Sequence, residues 1–178
     1  MTSLSSSWKA LACAVLILSG LAATERADAG AATDQRVASF ARSSTLSPVV
    51  QVAGGVYCKT RSMRVRAKNV LGQTLWWYQQ RLRWCWRVKI GDVARITEAT
   101  PRCAGTTYGI TGWGYWWESV RHIDCQYAGG VGSRYVLRYR QGHFRYCPLR
   151  TGCIQNKFPW AWVRGHAGGV SYAGGGGA

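Results

Sequence analysis

In the stretch TLWWYQQRLRWCWRVK, Thr74 to Lys89, arginines at 81, 83 and 87 alternate with a run of tryptophans at 76, 77, 84 and 86. A guanidinium grips carboxylate or phosphate with a planar fork and also stacks on aromatic rings, so Arg81, Arg83 and Arg87 in a row are chemistry for binding a polyanion. A second group is GWGYWW, where Trp113, Tyr115, Trp116 and Trp117 sit in a glycine-flanked segment that can display rings to a sugar. Each group also has a purely structural role open to it: tryptophan in a core, arginine keeping the surface soluble. That role is weightier for Trp76, Trp84 and Trp86. Adjacent residues of a strand face opposite ways, so one of Trp116 and Trp117 must look outward.

Catalytic constellations are thin. Glu118, His122 and Asp124 in WWESVRHIDC can place an acid near an imidazole, but the surplus arginines are simpler partners for both carboxylates. Cys147 with His143 has the types for a thiol and its base; as one of six cysteines in a secreted chain, Cys147 is better read as half of a disulfide. GITGWGYWW has glycines at phosphate-loop-like spacing without the Lys and Ser/Thr that grip a nucleotide. There is no C-x-x-C pair, and His122, His143 and His166 show no ligand spacing with the cysteines. The expectation is a protein that is not an enzyme, with no cofactor, no nucleotide and no metal.

Composition narrows the setting. The chain has 178 residues, 23 Lys and Arg against 7 Asp and Glu, and a net charge of +16. Its start carries Lys9, the apolar run ALACAVLILSGLAA and then Ala27-Asp28-Ala29, the layout of a signal peptide over residues 1–29 with a small-residue cleavage site. The apolar run is shorter than the roughly 20 residues of a spanning helix, so no membrane span is expected. Cleavage after Ala29 removes Lys9, Arg26, Glu25 and Asp28, two of each sign, and leaves the net charge unchanged. Cys13 leaves with the leader. Cys58, Cys85, Cys103, Cys125, Cys147 and Cys153 remain, an even set expected to form three disulfides in a secreted, extracellular protein. Six cysteines allow 15 pairings and the sequence does not choose among them. Proximity along the chain favours Cys147 with Cys153 and Cys103 with Cys125, which leaves Cys58 with Cys85.

These residues must be positioned by strands. From Trp76 to Trp86 the even positions are mostly apolar, while Gln79, Arg81, Arg83, Cys85 and Arg87 occupy the odd ones, the period of a half-buried strand. In SRYVLRYRQGHFRYC, Tyr135, Leu137 and Tyr139 alternate with Arg134, Arg138 and Arg140, and Gln141-Gly142 reads as a turn before Phe144 and Tyr146 resume an apolar face. By this parity Cys85 and Cys147 lie on the polar sides of their strands, so their bridges staple strands or loops at the surface. Further strands are expected at 56–67, 94–99, 115–121 and 156–164. The fold class is all-β, a single antiparallel β-sandwich or barrel-like domain over 55–166 stapled by disulfides. Residues 30–54 read as a flexible N-terminal segment in which only PVVQV can form a short edge strand, and 167–178 as a disordered Gly-rich tail.

Asn69, Gly72, Thr74, Leu75, Trp76, Tyr78 and Gln80 running into Trp84-Cys85, with Gly142, Phe144 and Cys147 much later, resemble a group of small secreted Cys/Trp-rich proteins of high-GC Gram-positive bacteria (actinobacteria). The resemblance spans roughly 56–164 and implies a secreted β fold; it brings no catalytic residue. The functional expectation is a secreted cationic binding protein for a polyanionic or cell-surface polymer such as a cell-wall polymer. The alternatives are a carbohydrate-binding module using its exposed Trp and Tyr, and a secreted antimicrobial or inhibitor protein using the same cationic surface.

Overall fold

The computed structural model describes residues 36–88, 91–120, 125–148 and 152–177. The leader assigned to 1–29 lies outside the described residues, as do His122 and Asp124. The chain divides into two units, Met1–Arg36 and Val37–Ala178, and every described strand belongs to the second.

That unit is all-β. Its described strands are β1 (Ser39–Leu46), β2 (Val50–Val52), β3 (Val56–Lys68), β4 (Thr74–Arg87), β5 (Arg95–Ala99), β6 (Thr106–Ile110), β7 (Tyr115–Val120), β8 (Gln126–Gly129), β9 (Tyr135–Tyr146), β10 (Gln155–Lys157), β11 (Trp160–His166) and β12 (Ser171–Gly176). They form two antiparallel sheets. In the first, β4 pairs along its length with β3 and on its other edge with β6 and then β5, while β1 and β2 line the far edge of β3. In the second, β9 is central, flanked by β11 and β10 on one edge and by β8 and β7 on the other, with β12 outside β11. No helix among the described residues is long and apolar enough to cross a membrane.

The long β3–β4 hairpin is set by its turn. Gly72 takes a φ of 78°, and the buried Asn69 side chain accepts from the amides of Leu71 (3.1 Å) and Gln73 (2.9 Å), which replaces ladder bonds lost where the chain reverses. From β4, Trp76, Tyr78, Leu82, Trp84 and Trp86 point into the space between the sheets and Arg81, Arg83 and Arg87 point out, as the alternation predicts. The facing sheet supplies Val136, Phe144, Tyr146, Ala161 and Val163. Trp76 and Phe144 stack across the interface at 4.4 Å. Gly165 of β11 lets Trp84 approach so closely that an added Cβ would lie 2.5 Å from its indole.

Three expectations are corrected. First, β9 is one continuous strand with no turn at Gln141-Gly142, so a single parity runs through it. Val136, Gly142, Phe144 and Tyr146 face inward, which places Arg138 and Arg140 inside and Tyr135, Leu137 and Tyr139 outside. Burial of the two arginines is tolerated because each guanidinium donates to carbonyls that need partners: Arg138 to Thr100 O (3.0 and 3.2 Å) and Leu137 O, Arg140 to Cys103 O. Burial, and behind it the Arg102 guanidinium, pulls Arg138 below the ordinary arginine range.

Second, the glycine-rich segment after 167 is not a disordered tail. Ser171–Gly176 form β12, paired with β11 in the register Trp162↔Gly174 and Trp160↔Gly176. The glycines are what the indoles require: a Cβ at Gly174 would meet Trp162 at 2.6 Å, and one at Gly176 would meet Trp160 at 2.9 Å. Third, the β domain begins before 55, because β1 pairs with β3 from Ser39↔Lys68 to Leu46↔Arg61. Within PVVQV, Val50–Val52 do form the short edge strand β2.

The disulfides are Cys58–Cys85, Cys103–Cys125 and Cys147–Cys153. Cys58 and Cys85 face each other across β3 and β4, and the bridge staples the hairpin on its outer side.

Candidate functional site

The outer face of the first sheet concentrates positive charge. β4 contributes Arg81, Arg83 and Arg87, all exposed. Their surroundings differ. Arg83 donates to Glu98, and its Nη2 lies 3.8 Å from Cys58 Sγ while Glu98 Oε2 lies 3.7 Å from Cys85 Sγ, so this ion pair roofs the disulfide and its charge is offset locally. Arg87 is paired in register with Arg95, a second cation. Arg81 sits opposite Ser62.

Two more arginines share this face, and neither was singled out by the β4 alternation. On β3, Arg64 Nε donates to Gln79 Oε1 (2.7 Å) with its guanidinium 4.4 Å above the Trp77 ring, and Arg66 Nη1 donates to Ser43 Oγ (3.1 Å). Both guanidinium groups are therefore held by neutral oxygens, which orient a cation without cancelling it. They border a polar cleft of about 210 Å³ whose other walls are Ser43, Thr45, Ser62 and Gln79. The flat seat of Trp77 comes from its register partner Gly109 on β6. Arg61, three residues earlier than Arg64, has the other parity and turns inward to Ser171 of β12.

The aromatic group at 113–117 is split by the fold. Trp113 and Trp116 are 66% and 63% exposed and border a cleft of about 570 Å³ beside Pro148 and the Cys147–Cys153 bridge. Tyr115 and Trp117 are not part of an exposed platform. Tyr115 is buried and stacked on Tyr146 at 4.7 Å, and burial, with Tyr146 next, pushes its phenol up to about 12. Trp117 stacks on Tyr108 at 4.0 Å and meets Phe144 edge-on.

The thin catalytic constellations do not gain support. Glu118 pairs with Arg145 at 3.1 Å, and its proposed companions His122 and Asp124 lie outside the described residues. Cys147 is bridged to Cys153, while His143 shares a hydrogen bond with Asn156 (2.9 Å). Among the described residues no three His, Cys, Asp or Glu side chains gather as a metal site. No family model, curated protein or solved structure matches the chain.

Proposed function

We propose that this is a secreted, non-catalytic binding protein that holds an anionic polymer on the outer face of its first sheet. The observation that carries the reading is the pair Arg64 and Arg66, held by Gln79 and Ser43 on a polar cleft next to Arg81. Positioned cations with neutral partners lose little freedom when an anion docks, whereas Arg83, already matched by Glu98, gains little from a second one. The three disulfides fit an oxidising compartment, and a net charge of +16 draws polyanions from a distance.

The test is the salt dependence of binding to polyphosphate and to heparin. Each neutralised charge releases counterions, so log affinity falls with log salt at a slope of about 0.7 to 0.9 per contact, taking nucleic acid as the guide. Changing Arg64, Arg66 and Arg81 together to Gln flattens that slope by about two units, and Arg83→Gln alone changes it least. Equal flattening in a control carrying Gln at the exposed Arg42, Arg102 and Arg134 would mean diffuse charge and would dispose of the site. Trp113 and Trp116 favour a second reading, sugar stacking in their own cleft. Its mark is retention on neutral glycan that survives high salt and disappears in Trp113→Ala with Trp116→Ala.

A further inference from the structure

The outer face of the second sheet carries a groove that neither reading uses. Because β9 is continuous, its Tyr135 and Tyr139 project outward, where they meet Trp162 and Arg164 of β11, Tyr172 of β12 and Gln126 of β8 around a cavity of about 420 Å³. That volume is in the usual range for ligand sites. Trp162 lies flat on Gly174, so one indole face is against the sheet and the other is turned to the groove. The rings are half-buried, except that Tyr172 is 54% exposed, so the groove is a shallow trough and not a deep pocket.

Among the described residues nothing neutralises the charge in this trough. Arg164 packs its guanidinium 4.5 Å from the Tyr135 ring centre, and its Nε, shielded from solvent, has no hydrogen-bond partner among the described residues. Among the described residues no carboxylate lines the cavity. Of the acidic side chains that are described, Glu98 and Glu118 are committed to Arg83 and Arg145 elsewhere. His166 beside Arg164 is held below the ordinary histidine range by burial and then by that guanidinium, so near neutral pH Arg164 is the cation of the groove.

We infer that this groove binds an acidic sugar: a pyranose bearing a carboxylate, within a longer saccharide chain. A shallow trough of ring faces suits a ring that offers C–H bonds from one side and stays open to chain continuation at both ends, because the electron-rich aromatic face attracts those hydrogens. A compact apolar ligand would need to be enclosed on most of its surface. The carboxylate answers Arg164, and Gln126 meets hydroxyls at the rim.

The experiment is calorimetric titration of the full chain with a galacturonic acid tetramer and with its neutral methyl ester. The acid tetramer is expected to bind at least tenfold more tightly than the ester. Arg164→Gln should remove that preference, Tyr172→Ala should weaken both ligands about tenfold, and Tyr172→Phe should restore binding because the ring is what matters. A melting temperature close to that of the unaltered chain shows that each variant is folded. Equal affinity for acid and ester overturns the inference, as does no binding of the tetramer. Loss of tetramer binding on changing Arg64, Arg66 and Arg81, with Tyr172→Ala silent, also overturns it by moving the ligand to the first sheet. Heparin retention that is unchanged in Arg164→Gln keeps the two faces distinct.

Discussion

Residues of one type are sorted here by what holds them. Arg138 and Arg140 are structural, spent on carbonyls of the 100–103 loop; Arg83 guards a disulfide; Arg64 and Arg66 are oriented and still charged. The tyrosines divide the same way, and Tyr115 offers a test. Its phenol titrates at about 12 in the folded protein because burial disfavours the anion, against about 10 in an unfolded chain. A raised acid means that the folded state keeps its proton while the unfolded state releases one. The stability Tyr115 contributes is therefore complete below pH 10 and is lost as pH rises from about 10 to about 12. Replacing it in Tyr115→Phe should flatten the fall in melting temperature across that interval, and one fewer late-titrating tyrosinate should appear in the ultraviolet absorbance.

At the scale of the element, the recurring device is an indole laid on a glycine of the neighbouring strand: Trp77 on Gly109, Trp162 on Gly174, Trp160 on Gly176. The glycine leaves room that a Cβ would fill, and the ring recovers the contact area the glycine lacks. Gly174→Ala should thus destabilise the protein by about 1–3 kcal/mol through overpacking, lowering the melting temperature by several degrees. Gly168, where an added Cβ meets nothing within 4 Å, has no such clash, but its φ of 110° carries its own backbone penalty and makes it an unsuitable control. Val170→Ala, at an exposed side chain just before the strand, is the better one.

This pairing explains what the sequence made legible. β4 is readable because nearly every apolar residue from Trp76 to Trp86 shares one parity and the charges take the other. The glycines of β12 have no parity to read, since their role is to receive side chains that belong to β11. β9 misleads because both of its faces carry aromatic residues. Only the partners across the interface, Trp76 for Phe144 above all, decide that Arg138 goes in and Tyr139 goes out. The exposed stripe of β4 was visible, whereas the seating of Arg64 and Arg66 depended on which strands lie beside β3. The three disulfides join the cysteines two by two in chain order, the complete pairing with the smallest total separation, which is why proximity found them.

For the whole molecule, the disulfides close loops of unequal length, with sequence separations of 27, 22 and 6. If they act by restricting the unfolded chain, they are worth about 3.5, 3.4 and 2.2 kcal/mol respectively. Opening Cys147–Cys153 by paired serine substitution should accordingly cost less in denaturant midpoint than opening Cys58–Cys85, and thiol titration of the oxidised protein should find no free cysteine among the six. The strand β12 carries a different kind of closure. Lys59 and Arg61 find their acceptors, the carbonyls of Gly169 and Ser171, 110 residues further along, and Gly175 lies against Met63 and Val65. Pairing across such separations is slow, because loop entropy is lost before any contact compensates for it. A chain made from its N-terminus therefore exposes that apolar stretch of β3 early and covers it late. The same strand order that completes the core delays its completion, and the growing polypeptide stays open, threadable and in need of protection until β12 is available.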